Sequence, residues 1–329
     1  MNHLFRLDPD IQRFVTQIGK DYARYPAMET ATLDEKRHIA ARVRARWAAG
    51  GPAMAYTREF VVPAGAAGVP VRVHYPSICA PLPALIYAHG GGWRLFDLDT
   101  HDRVLREFAA RASVAVVGVD YSRTPEARFP VALEETVAVI QWMAIHGSGI
   151  GIDATRIAVA GDSAGANLAV AASLRLRDSG MPGVIGAMVL VYGAFDNDCT
   201  TPSHQHFGSG ELLLSTSEMV GFWRDYLLRP EDAKSGYACP LRARLEGLPP
   251  AHLVVAELDI LHDENIAMAE KLREAEVPVS CVTYPGTVHG FIEAASIAQV
   301  TRQALEDAAQ WLVRTLHGRS QLSLEGGRA

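Results

Sequence analysis

The sequence predicts an α/β fold: a mostly parallel central sheet, flanked by helices and carrying a helical cap. Three observations predict it. Apolar runs of strand length alternate with helical patterns over most of the chain, a serine in a glycine-flanked turn directly follows one of those runs, and the alternation is interrupted once, near residues 196–237. Strands that alternate with helices pair in parallel, because each crossover returns the chain to the same end of the sheet. Such strands are covered on both faces, which explains why their runs are apolar throughout.

The elements follow in order. The first 50 residues read as helical, with Pro9 suited to a first turn and Thr32-Leu-Asp-Glu35 forming a capping-box pattern before a run that stops at Gly50-Gly51-Pro52. Residues 1–52 are therefore expected to form an N-terminal cap segment outside the sheet. Phe60-Val-Val and Val69-Pro-Val-Arg-Val, separated by Ala64-Gly-Ala-Ala-Gly68, read as an antiparallel hairpin. The runs at 83–88, 114–119, 156–160, 187–191, 252–256 and 279–283 read as strands, and those at 104–112, 131–145, 263–275 and 294–316 as helices. The core then comprises 53–195 and 238–318. The segment 196–237, with Phe207, Leu212-Leu-Leu214, Phe222-Trp223 and Tyr226-Leu-Leu228, reads as a helical insertion, and 319–329 as a flexible tail.

The chain has 329 residues, 49% of them hydrophobic and 21% charged, which is the composition of a packed globule. Its net charge of −6 offers no basic face, so small neutral molecules are expected as ligands rather than nucleic acid or anionic lipid. No leader pattern or membrane span is read, and a cytoplasmic protein is expected. Cys79, Cys199, Cys239 and Cys281 form no CxxC pair and read as four reduced, packed thiols. Neither a GxGxxG after a strand nor a GxxxxGK[ST] string occurs, so no nucleotide cofactor is expected.

Ser163 lies in Gly161-Asp-Ser-Ala-Gly165, between the strand ending at Ala160 and a helical run of small residues from Ala164. That is the strand, turn and helix context of a nucleophile elbow, in which a tight turn leaves no room for Cβ atoms beside the serine. His89-Gly-Gly-Gly-Trp93 follows another strand, and its backbone N–H groups at Gly91 and Gly92, with that of Ala164, are candidates for holding an oxyanion. His89 itself is read as a residue that fixes this loop. A base and an acid are sought downstream, in the order serine, acid, histidine. His289 follows the last strand, and Asp259 ends the strand before it. Glu257 is the rival acid on the same strand face, while Asp263 and Glu264 read as charges at a helix N-terminus. His252 and His262 are misplaced for the base, and Asp162 is expected to hydrogen-bond surrounding loops. Asp196-Asn-Asp-Cys199 with His204 and His206 matches no standard zinc spacing, so no metal site is expected.

Taken together, these motifs resemble the bacterial hormone-sensitive-lipase family of esterases, in its GDSAG branch. The resemblance runs from roughly residue 30 to 316 and includes His89-Gly-Gly-Gly-Trp93, Asp97-Leu-Asp-Thr-His-Asp102, Val119-Asp-Tyr121, Gly161-Asp-Ser-Ala-Gly165, Glu257-Leu-Asp259 with Asp263-Glu264, and His289-Gly-Phe291. Thr124-Pro-Glu-Ala-Arg-Phe-Pro130 is similar to the bacterial acetyl esterases. The resemblance implies an α/β-hydrolase fold, cofactor-free hydrolysis of short acyl esters (acetyl to roughly hexanoyl), and a cap built from the N-terminal helices and the insertion. It implies a triad of Ser163, Asp259 and His289, with oxyanion donors at Gly91, Gly92 and Ala164. The chain departs from the pattern at Ile260, where proline is usual, at His262, where arginine is common, and at Ser122-Arg123. Ile260 leaves the acid loop less rigid.

A small ester substrate is expected, and a homodimer is left open. Trp93 and Phe291, beside the oxyanion glycines and the histidine, read either as walls that shorten the pocket or as core packing. Amidase, formamidase or acyltransferase chemistry on the same triad is an alternative to esterase chemistry. So is a binding protein that has lost turnover.

Overall fold

The computed structural model describes residues 6–25, 30–65 and 67–325. Parts of the expected N-terminal segment (1–5 and 26–29), Ala66 of the hairpin loop, and 326–329 of the expected tail lie outside the described residues.

Helix α1 (Pro9–Tyr22) starts on Asp8, whose carboxylate accepts from the N–H groups of Asp10 and Ile11. Its buried Ile11, Phe14, Val15 and Ile18 recur at helical spacing. Each contributes about 1.5–3 kcal/mol, against about 1 kcal/mol for the cap, so docking rather than capping holds this helix in place. Helix α2 (Leu33–Ala48) carries the anticipated capping box of Thr32 and Glu35. Trp47 from α2 meets Phe14 of α1 edge to face at 4.7 Å.

Strands β1 (Tyr56–Val62) and β2 (Val69–Tyr75) form the hairpin, with Val62 opposite Val69. β3 (Leu82–Ala88), β4 (Ala115–Val119), β5 (Ile152–Asp162), β6 (Ile185–Val191), β7 (Ala251–Leu258) and β8 (Val279–Val288) complete one sheet in the order β1-β2-β4-β3-β5-β6-β7-β8. β2 is antiparallel to β1 and β4, and β3 to β8 pair in parallel. This is the mostly parallel architecture expected.

The period of two sorts the strand side chains onto two cores. Leu85, Tyr87 and Val116 face α1, α2, α3 (Leu98–Ala112) and α9 (Gln299–Glu325), whereas Ala84, Ile86 and Val117 face α4 (Val131–His146), α5 (Ala164–Asp178) and α8 (His262–Glu274). The segment between β6 and β7 adds two short helices, α6 (Pro202–Phe207) and α7 (Thr216–Tyr226).

Three boundaries differ from the sequence reading. α3 begins six residues early, at Leu98, because Asp97 and Thr100 form a capping box. The last helix begins late, since Phe291–Ser296 is a 3-10 turn after Gly290, and α9 then continues through 319–325, residues read as tail. The thiols are free but not all packed: Cys239 is buried, Cys199 and Cys281 are half-buried, and Cys79 is exposed. Among the described residues no helix is long and apolar enough to cross a membrane.

One buried histidine ties stability to pH. His252, on β7, bonds Ser280 Oγ at 3.0 Å and stacks on Trp311, and burial pushes its pKa down to about 4. The folded chain therefore keeps it neutral while the unfolded chain protonates it below about 6.5, so stability present above that pH is lost as pH falls towards 4. The slope for one such group is about 1.4 kcal/mol per pH unit. His252→Gln is expected to flatten the acid side of the stability profile by up to that amount, as measured by urea unfolding at pH 7, 6 and 5. An unchanged slope would show that His252 titrates normally.

Candidate active site

Ser163 sits on the turn from β5 to α5 with φ 55° and ψ −119°, a conformation costing a non-glycine residue about 1–3 kcal/mol. The neighbours force it. A Cβ on Gly165 would fall inside the Ala88 carbonyl, so only glycine lets α5 approach β3 this closely. Ser163 N–H donates to the Val191 carbonyl at 2.8 Å, which fixes the turn against β6.

The three residues expected to act together meet here. Ser163 Oγ and His289 Nε2 are 2.9 Å apart, and His289 Nδ1 lies 2.8 Å from Asp259 Oδ2. Asp259 is buried, while His289 is 13% exposed at the cavity wall. The other Asp259 oxygen accepts from Leu261 N–H at 3.0 Å, and the His262 N–H donates to the Asp259 carbonyl. Ile260, where rigidity was expected to suffer, is buried, and its carbonyl accepts from Ser203 Oγ at 2.6 Å. Tertiary hydrogen bonds thus hold this loop without the proline.

Glu257 points elsewhere: it accepts from Gly286 N–H at 2.7 Å and pairs with Arg6 at 2.6 Å. Asp263 and Glu264 are not simple helix-end charges. Asp263 accepts from Ser203 N–H, and Glu264, whose carboxyl burial pushes well above the usual range, accepts from Phe195 N–H. With Asn265, which bonds both the N–H and the carbonyl of Gly193, they fasten the loop after β6 to α8. His252 lies at the start of β7, the opposite end from Asp259, where it bonds Ser280 Oγ, and His262 Nδ1 bonds the Ala256 carbonyl.

Behind the serine, Asp162 ties the turn to the glycine loop. Its Oδ1 accepts from Gly90 N–H and Tyr87 O–H, both at 2.9 Å, and His101 Nε2 is 3.3 Å away. Burial would raise the Asp162 carboxyl, but His101 and Tyr87 hold it below the ordinary range. Burial would likewise lower His101, yet the facing carboxylate lifts it above a usual imidazole. His89 is sealed in, stacked on Tyr121, and pushed down to about 3 by burial and by His101. It bonds the Gly90 carbonyl, as a loop-fixing residue should.

Gly91 and Gly92 line the cavity beside Ser163 and His289. Among the described residues, neither their N–H groups nor that of Ala164, the first residue of α5, is spent on another backbone carbonyl. Gly92 has φ 62°, and a Cβ there would enter the Phe222 ring of α7. The insertion therefore rests directly on the glycine loop. Arg94 pairs with Asp225 of α7 at 2.9 Å, and α2 reaches the same loop through Arg37, which bonds the Arg94 and Thr124 carbonyls and both oxygens of Glu126.

Trp93 and Phe291 do not line the cavity. Trp93 is fully buried between Tyr226, stacked at 4.0 Å, and Trp223, so it anchors the loop to α7. Phe291 is buried against Tyr192 and Tyr284. A residue adjacent in sequence to a reacting group points away from it whenever the backbone turns between them. The cavity, about 690 Å³, is lined instead by Tyr22, Phe96, Tyr192, Leu213, Leu214 and Phe222, with Arg44 and Glu293 among its polar groups. None of these stood out in the sequence as site residues. Only Tyr192, at the C-terminal end of a parallel strand, carried a positional signal.

The residues weighed as metal ligands disperse: Asp196 pairs with Arg242, Asp198 bonds Thr200, His204 bonds Thr216, and His206 bonds the Pro202 carbonyl.

Residues 85–293 match a family model described as the alpha/beta hydrolase fold. Among solved structures, the chain is similar to a thermophilic and thermostable carboxylesterase cloned from a metagenomic library, with 37% identity over 87% of this chain and 98% of that one, and a TM-score of 0.84. It is also similar to a hyperthermophilic esterase from the archaeon Pyrobaculum calidifontis, with 32% identity, 94% and 98% coverage, and a TM-score of 0.87. A thermostable esterase from Pseudomonas putida matches at 30% identity, with 94% and 98% coverage and a TM-score of 0.87.

Proposed function

This chain belongs to the α/β-hydrolase family, and from that premise we propose that it is a serine carboxylesterase of the hormone-sensitive-lipase type, GDSAG branch, acting on short acyl esters. The observation that carries the mechanism is the unbroken line from Ser163 Oγ through the imidazole to Asp259, at 2.9 and 2.8 Å, opening on a cavity. Ser163 attacks the ester carbonyl as His289 Nε2 takes its proton, and Asp259 holds the ring by its Nδ1–H and stabilises the imidazolium. The N–H groups of Gly91, Gly92 and Ala164 receive the oxyanion. His289 gives the proton to the departing alcohol, and water releases the acid from the acyl-enzyme by the same route.

Helices α1 and α2 and the insertion serve as the cap, since Ile18, Tyr22, Ala40, Leu213 and Phe222 all contribute to the cavity wall. The preference for short chains, acetyl to roughly hexanoyl, no longer rests on Trp93 and Phe291. It rests on the lining, where Lys36, Arg44, Glu218 and Glu293 interrupt the apolar surface and offer a long alkyl chain polar contacts. The short α7 also makes no lipid-surface lid. Each methylene that packs on apolar wall gains about 0.8 kcal/mol, and one pressed against a charge does not. Along esters from acetate to palmitate, kcat/KM is expected to peak at or below about six acyl carbons and then fall. A maximum at ten carbons or more would overturn the short-chain assignment.

A further inference from the structure

Tyr192, the residue after β6, lies against the imidazole of the triad. Its ring centroid is 4.7 Å from that of His289, with 53° between the planes, and 5.8 Å from that of Phe291. Side chains alternate along β6: Ala187, Val189 and Val191 belong to one core, Met188 and Leu190 to the other. Tyr192 is next in line for the second core, yet it belongs to the first, which also holds Val288 and Phe291.

A φ of 34° at Tyr192 breaks the alternation, and that conformation is strained for a residue with a bulky side chain. The backbone around it is pinned. Tyr192 N–H donates to the Val254 carbonyl at 2.8 Å, and Asn265 bonds both the N–H and the carbonyl of Gly193 at 2.9 Å. The Tyr192 hydroxyl is buried and meets no hydrogen-bond partner among the described residues. Filling the core requires neither the strained φ nor a buried hydroxyl. What the strain achieves is to bring an aromatic ring onto the side of the sheet where the histidine stands.

His289 needs such a neighbour. It stands between the end of β8 and Gly290, whose φ is 80°, and its ring is held at Nδ1 by Asp259 and at Nε2 by Ser163. The second hold is lost while Ser163 Oγ carries the acyl group, when the imidazole must still draw a proton from water. We propose that Tyr192 is a positioning residue whose ring braces His289 in line with Asp259 through the life of the acyl-enzyme. This role presupposes the esterase reading above. It belongs to the ring and not to the unpartnered hydroxyl.

Hydrolysis of 4-nitrophenyl acetate tests it, because the activated leaving group makes acylation fast and kcat then reports release of the acetyl group. Tyr192→Leu is expected to lower kcat about ten-fold or more, since a misplacement of about 1 Å costs rate steeply. The fall in kcat/KM, which reports acylation, is expected to be smaller. Restoring the ring without the hydroxyl, in Tyr192→Phe, is expected to recover most of kcat. Tyr192→Met, a second ringless variant, is expected to show the same loss as leucine and serves if leucine does not fold. Phe108, buried in the same core against Tyr87 at 5.9 Å, provides the matched loss of packing, and Phe108→Leu is expected to leave kcat within about three-fold. A folded ringless variant with unchanged kcat overturns the proposal, as does one in which only KM rises, which would make Tyr192 a wall residue. An equal loss in Tyr192→Phe or in Phe108→Leu overturns it too, by assigning the effect to the hydroxyl or to general softening of the core. A folded, unaltered protein that does not turn over this ester overturns the esterase reading itself, which separates that failure from a failure of Tyr192.

Discussion

Ser163→Ala is expected to lower kcat on a short-chain ester by about a million-fold, the loss typical when a serine triad loses its nucleophile. The size follows from the site. No other hydroxyl bonds His289, so its Nε2, 2.9 Å from Ser163 Oγ, has no alternative nucleophile to activate among the described residues. The fold should survive, because the turn is held by the Ser163 backbone N–H on the Val191 carbonyl and by Gly165 against Ala88, and neither involves the hydroxyl. Alanine meets the same φ of 55° that serine already tolerates, so the change in stability reduces to one hydrogen bond, about 1 kcal/mol. Burst and steady-state assays beside a thermal melt check both halves. Residual activity above about one thousandth in a homogeneous, folded sample would mean that another group attacks the ester.

Asp259→Asn should be the second-largest loss, about 10⁴-fold in kcat by the logic of the serine triad. An asparagine in place of the carboxylate no longer demands a proton on His289 Nδ1, so the ring can take the tautomer whose Nε2 carries the hydrogen and cannot accept one from Ser163. The imidazolium formed during attack also loses its counter-charge, at a site where Asp259 is buried and water cannot substitute. Glu257→Gln is the matched control. Its carboxylate serves Gly286 N–H and Arg6 rather than the imidazole, so a change within about three-fold is expected, with some loss of stability where α1 meets β8. If Glu257→Gln proves the more damaging to kcat in folded protein, the acid has been assigned to the wrong carboxylate.

Much of the molecule was legible from local pattern. The capping box at Thr32, the hairpin from Phe60, the six parallel strands and the elbow at Ser163 are signals carried within a few residues, where periodicity and turn chemistry act directly. The positions of His289 and Asp259 were also legible, because parallel strands deliver their C-terminal ends to one edge of the sheet whatever the intervening loops do. Element ends were less so. The start of α9 shifted from Ala294 to Gln299 because Gly290, at φ 80°, breaks the chain direction and a 3-10 turn intervenes.

The sequence by itself determined the sheet order class, the elbow, the glycine loop and the three residues that meet at its edge. Only the tertiary structure decided what surrounds them. Trp93 and Phe291 neighbour reacting positions along the chain yet face the core, while Arg44 and Phe222 come from α2 and α7 to form the wall. Glu257 and Asp259 share one face of an ideal strand, and the choice between them fell to the departure of the chain from β7 after Leu258, which turns Asp259 towards His289. The physical reason is common to all of these. Backbone period and turn chemistry act between near neighbours, whereas the direction of a side chain in a cavity is set by long-range packing that no local window contains.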